Sequence, residues 1–142
     1  MPIEKIVFDT NCLLASLSSR SENFLVWQEF QAGGFILCVS NEILEEYQEV
    51  IARLASADVA KNVINAIVES EFVQFIDPQF HLDLITADKD DNKFVDCAFA
   101  ANAAFIVSND SHFDVLRAIS FPRLLVIRLN TFLEMLRNKS TA

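Results

Sequence analysis

Asp9 closes a short apolar run, Ile6-Val7-Phe8, and is followed at once by Thr10 and Asn11. In an open parallel α/β sheet, ligands gather outside the carboxyl ends of the strands, so an acid placed there is a candidate for chemistry. Capping the helix behind it is the competing role, since Asp is a favoured N-cap. Asp110 repeats the arrangement: the apolar run Ala104 to Val107 and the polar pair Ser108-Asn109 lead into it, and a helical pattern follows. If the two runs are neighbouring strands, both acids project from the same edge of the sheet.

Helical angles select two further acids, at roughly 100° per residue. From Ser40 onward, Ile43, Tyr47, Val50, Ile51 and Leu54 form an apolar stripe. With Ile43 at zero, Glu45, Glu49 and Glu42 fall at about 200° to 260°, on a solvated face, whereas Glu46 at about 300° lies nearest the buried edge. In the later pattern that begins near Asp91, with Phe94 at zero, Asp91 falls at about 60°, inside the apolar arc, and Asp96 at about 200°, on the opposite side. Asp91 has a competing role at the helix N-terminus, where the dipole favours negative charge. Asp88 and Asp90 can fill that role equally well.

Four carboxylates gathered without a nearby Lys or Arg repel one another and resist ionisation. A hard divalent cation such as Mg²⁺ or Mn²⁺ relieves this and bridges carboxylates to phosphate oxygens. Such an ion polarises a phosphodiester and lowers the pKa of an attacking water. The implied chemistry is metal-dependent phosphodiester hydrolysis.

Short runs rich in Val, Ile, Leu and Phe must position these acids, at Lys5 to Phe8, Phe35 to Val39, Phe72 to Ile76, Ala104 to Val107 and Leu124 to Ile127. Continuous apolar runs suit strands covered on both faces, as in a parallel sheet. Helical patterns lie between them: one from Ser21 or Glu22 to about Gln31, stopped by Gly33-Gly34; the one capped by Ser40; a third from about Ala57 to Glu69; the Asp91 pattern, to about Ala103; a short one from Ser111 to Ala118; and a last one capped by Asn130. This alternation predicts βαβ units with right-handed crossovers. No linker or repeat divides the 142 residues, so one domain over 1–142 is expected.

Composition narrows the function further. The net charge of −9 argues against broad electrostatic binding to nucleic acid, so cations must bridge any phosphate substrate. Cys12, Cys38 and Cys97 are odd in number and set among apolar residues, which predicts buried thiols. No apolar run nears the roughly 20 residues of a membrane helix, and the N-terminal region lacks the pattern of a signal peptide, so a cytoplasmic protein is expected.

Four stretches now carry a resemblance: Ile6-Val7-Phe8-Asp9-Thr10-Asn11; Ser40 through Leu44-Glu45-Glu46-Tyr47; Asp91-Asn92-Lys93-Phe94-Val95-Asp96-Cys97-Ala98; and Ile106-Val107-Ser108-Asn109-Asp110-Ser111-His112-Phe113. In this order they resemble the motifs of PIN-domain ribonucleases, and more narrowly the VapC-related toxins of bacterial toxin–antitoxin pairs. The resemblance spans nearly the whole chain. It implies an α/β fold, a three-layer α/β/α sandwich around a mostly parallel sheet of four or five strands. It also implies Asp9, Glu46, Asp91 and Asp110 as the catalytic, metal-holding quartet, with Asp90 the neighbouring alternative for the third place. Asn11 and Ser108 match supporting polar positions, and Asp96 is a further supporting acid. Mg²⁺ or Mn²⁺ is the implied cofactor and RNA the implied substrate. A protein antitoxin and a second PIN subunit are the implied partners.

Two other readings compete. A PIN module without activity that serves to bind a partner would keep the fold. A phosphatase of the haloacid dehalogenase type also starts with an Asp after its first strand, but Asp9-Thr10-Asn11 lacks the second acid of its Asp-x-Asp motif.

Overall fold

The structure, a computed structural model, describes residues 4–140. Its strands are β1 (Lys5–Phe8), β2 (Ile36–Val39), β3 (Val73–Phe75), β4 (Phe105–Val107) and β5 (Val126–Ile127). They form one sheet in the order β3-β2-β1-β4-β5, and every pairing is parallel. The helices are α1 (Thr10–Ala15), α2 (Phe24–Ala32), α3 (Asn41–Leu54), α4 (Ala57–Val68), α5 (Asn92–Ala101) and α6 (Leu129–Ser140). Two 3-10 segments, Lys89–Asp91 and Ser111–Ala118, lead into α5 and follow Asp110.

Local chemistry sets most boundaries. The Ser40 and Ser56 hydroxyls accept from Ile43 N and Val59 N and cap α3 and α4. Gly33, at φ 85°, ends α2 in the left-handed region, which a side chain would strain. Three expectations are corrected: the last helix begins at Leu129, so that Asn130, expected as its cap, lies within it. The helix expected from Ser21 or Glu22 starts at Phe24, because the Ser21 hydroxyl accepts from Asn23 N and holds a turn before it. The segment from Ser111 to Ala118 is 3-10 rather than α.

Successive side chains of a strand point to opposite faces, and Ile6, Val7 and Phe8 are all buried, so both faces of the sheet are covered. Phe8 and Phe35 meet Phe132 of α6 at 5.5 and 5.2 Å between ring centroids, and Phe30 and Trp27 of α2 extend the cluster. Helix α5 lies against β1, β2 and β4. All three cysteines are free and buried, and burial pushes the Cys12 thiol up to about 12. Among the described residues no helix is long and apolar enough to cross a membrane.

One buried polar contact ties a helix to the end of β1. Tyr47 of α3 is fully buried, and its hydroxyl donates to Phe8 O at 2.6 Å, one residue before Asp9. Tyr47→Phe leaves that carbonyl without its donor, a cost of about 1–2 kcal/mol. Thermal denaturation is expected to show a fall in Tm of about 3–8 °C.

Candidate functional site

Strand β1 lies between β2, which follows it in the chain, and β4, which comes much later. The strand order therefore reverses at β1, and in sheets of this kind ligands bind beyond the carboxyl end of such a strand. Phe8 pairs with Val107, and Asp9 N donates to Val107 O at 3.0 Å, which sets Asp9 level with Ser108. The Ser108 hydroxyl donates to Asp9 Oδ2 at 2.8 Å, and both residues are buried. Asp9 holds the N-cap position of α1, where the Asn11 N–H favours its charged form, but its side-chain hydrogen bond is to the Ser108 hydroxyl beyond β4. Helix capping alone therefore does not account for the acid.

Asp110 joins the same edge through the same hydroxyl, since its backbone N–H donates to Ser108 Oγ at 3.0 Å. Asp110 Oδ1 accepts from His112 N and caps the 3-10 segment, so this acid does serve as a cap. Its second oxygen is not part of that bond. His112 Nδ1 lies 3.3 Å from Asp91 Oδ2 and 3.5 Å from Asp110 Oδ1, joining acids from two segments. Asp88, by accepting from Asp90 N, caps the turn that delivers Asp91. Asp88, Asp91 and His112 each offer a ligand atom, all within 4.8 Å of one another. With Asp9 and Asp110 beside them, these carboxylate oxygens suit a hard divalent ion, and the imidazole does not conflict with Mn²⁺.

Glu46 comes from α3 and lies near enough to Asp9 to raise its carboxyl. Thr10 Oγ1 donates to its Oε2, and Lys93 Nζ lies 2.8 Å from its Oε1. The expectation of four acids without a nearby cation is thus corrected. Lys93 is held at the site, 2.8 Å from Asp90 Oδ1 as well. Asp90 turns to Lys93 while Asp91 turns to His112, which separates the two neighbouring acids. Thr10 and Lys93 escaped the sequence reading. The Asp90 to Lys93 spacing of one helical turn was the available signal for the lysine.

Asp96 also departs from expectation. Its helical angle placed it opposite the Phe94 face, yet it is buried, accepting from Leu82 N at 3.0 Å and pairing with His81 Nδ1 at 3.2 Å. The reason is that α5 is covered on more than one side: Asn92, Phe94, Val95, Asp96, Cys97 and Ala98 are all buried. Asp96 fastens the segment before the Asp88 turn, and Asn92 does the same by accepting from Ile85 N and donating to Ile85 O, each at 2.9 Å. Asn11 is exposed, and its contribution to the site is its backbone N–H beside Asp9.

Burial raises the Asp9 carboxyl above its usual range, against the Ser108 hydroxyl and the Asn11 N–H that favour the charged form, and Asp110 and Glu46 push it further up. Asp91 is pushed up to about 6, chiefly by burial, with His112 opposing and Asp88, Asp110 and Asp9 adding to the rise. Both acids sit where a proton or a cation is favoured.

A family model described as PIN domain matches residues 5–112, and the chain belongs to the PIN domain family, a family of nucleases. A search among curated proteins gives no match. Among solved structures, a chain of VapBC2 from Rickettsia felis, crystallised bound to a DNA fragment from their promoter, is similar at TM-score 0.61 and 15% identity, covering 87% of this chain and 98% of that one. The PIN domain endonuclease Utp24 is similar at TM-score 0.52 and 14% identity, covering 87% and 84%. The PIN domain of T. brucei RRP44 is similar at TM-score 0.51 and 14% identity, covering 98% and 84%. At these identities the likeness is one of fold.

Two outcomes follow from the geometry. Asp91 binds its proton more tightly in the fold than in the unfolded chain, so without metal the folded state holds more protons between about pH 4 and 6, and stability falls as pH rises through that window. Asp91→Asn is expected to flatten this slope and, near neutral pH, to raise the metal-free Tm by about 3 °C. Melting curves across the window check both. Asn92→Ala frees both backbone groups of Ile85, costs about 2–4 kcal/mol and should speed limited proteolysis between residues 77 and 88, read by mass spectrometry.

Proposed function

We propose that this chain is a metal-dependent endoribonuclease, the cytoplasmic toxin of a toxin–antitoxin pair, with residues 1–142 acting as one PIN unit. The observation that supports this reading is that Asp110 lies close enough to raise the carboxyls of both Asp9 and Asp91, and Asp9 that of Asp91, with Asp9 at the end of the strand where the sheet order reverses in a PIN fold. Asp9, Asp91 and Asp110 are proposed to hold Mg²⁺ or Mn²⁺, with Glu46 completing the acidic wall. When bound, the ion polarises the phosphodiester and lowers the pKa of the attacking water.

The remaining residues act by holding these groups. Ser108 donates to Asp9 and accepts from Asp110 N, which fixes the separation of two acids across the β1–β4 boundary. His112 sets Asp91 against Asp110. Thr10 orients Glu46. The net charge of −9 supports the same reading, because phosphate approaches an acidic site only where a cation mediates the contact.

The likeness to VapBC2 supports a protein antitoxin as partner, and a second PIN subunit is proposed alongside it. A mixed RNA pool incubated with the chain in Mg²⁺, in Mn²⁺ and in chelator tests the reading. Cleavage is expected with metal only, with a loss of at least about a hundredfold in Asp9→Asn, the scale set by removing one electrostatic contributor to a transition state. Cleavage that survives in Asp9→Asn overturns the metal role of that residue, and silence in every condition favours a PIN module retained for binding.

A further inference from the structure

Lys93 pairs with two acids of the cluster, Glu46 and Asp90, and it is saturated. Its side chain is 8% exposed. Its three protons meet three acceptors: Glu46 Oε1 at 2.8 Å, Asp90 Oδ1 at 2.8 Å and Asp90 O at 3.0 Å. Glu46 is committed in turn, with one oxygen on Lys93 and the other on the Thr10 hydroxyl. Asp9, Asp91 and Asp110 differ, because none of them has a Lys or Arg partner; their partners are the Ser108 hydroxyl and His112. The cluster is therefore divided into a half neutralised by an ammonium and a half that is not.

We infer that Lys93 occupies the place of a second cation, so that the site takes one divalent ion, on the acids that have no ammonium partner, and Glu46 is not among its ligands. In a two-metal site, two ions sit about 4 Å apart and each needs carboxylates to balance it. Here the carboxylates on the Glu46 side already hold a fixed positive charge. An ammonium is a compact cation with donors only, so it neutralises Glu46 and Asp90 without leaving a position for a metal, and it repels an ion brought close. Lys93 is a positioning residue in this scheme. The inference rests on the metal-dependent reading above and adds the number of ions and the residues excluded from holding them.

Isothermal titration of the whole chain with MnCl₂ tests it without reference to cleavage. Wild type and Lys93→Arg are expected to bind one Mn²⁺ per chain. Lys93→Gln is expected to bind two, the second on the released Glu46 and Asp90. Two ions on wild type, or only one on a folded Lys93→Gln, overturn the inference while leaving the metal-dependent reading standing. No Mn²⁺ on wild type overturns both. Because Lys93→Gln leaves Glu46 unpaired and can unfold, Glu46→Gln is titrated beside it. Its Kd for Mn²⁺ is expected to stay within about twofold of wild type, and a loss of more than about tenfold, the effect of removing a true ligand, overturns the inference.

Discussion

The parallel pairing of β1 with β4 is the constraint on which the rest of the site depends. Phe8 pairs with Val107, so the next residues, Asp9 and Ser108, come level just where the strands end. A shift of one residue would turn Asp9 to the other face of the sheet and exchange its place with an apolar neighbour. The buried run Ile6-Val7-Phe8 resists that shift on both faces. The ring cluster of Phe8, Phe35 and Phe132 and the Tyr47 hydroxyl on Phe8 O fix β1 from two further directions. Packing well away from the acids therefore decides their positions.

Charge sets the second constraint. Gathering carboxylates at a buried edge works against folding, as the raised Asp9 and Asp91 carboxyls show. The chain reduces the cost in different ways for different acids. Around Asp9 and Asp110 it uses neutral donors, the Ser108 hydroxyl and backbone N–H groups. Around Glu46 and Asp90 it uses the full charge of Lys93. A carboxylate held by neutral donors keeps its charge available, whereas one paired with an ammonium does not. That difference divides the acids into a set neutralised by an ammonium and a set that is not.

Helix α5 links these two arrangements. From its first turn Lys93 reaches Glu46, and Asp91 stands at its N-terminus against His112. Asn92 and Asp96 hold the preceding irregular segment to the same helix through Ile85 and Leu82. Phe94 packs against Phe113 of the 3-10 segment that carries His112, with ring centroids 6.3 Å apart. The side chains of α5 thus place ligand candidates that come from segments with little regular structure of their own, which is how a loop can carry a defined site.

The sequence by itself determined the alternation of strands and helices, the sheet edge as the place for Asp9 and Asp110, and the inward angles of Glu46 and Asp91. These follow from local periodicity and from which residues end an apolar run, and no distant contact is needed to read them. Only the tertiary structure decided which acids are paired with what. The Lys93 bond to Glu46 joins α5 to α3, and no pattern within either helix announces it. Asp96 was placed on an outer face because a helical angle assumes one buried side, and α5 has more than one. Nothing around Thr10 in the sequence marks its hydroxyl, and only the approach of α3 makes it a partner for Glu46. For Asp9 the sequence left cap and site as equal roles; the level placement of Ser108 turned the carboxylate toward β4, because hydrogen-bond geometry across strands depends on register, which a single stretch of chain does not contain.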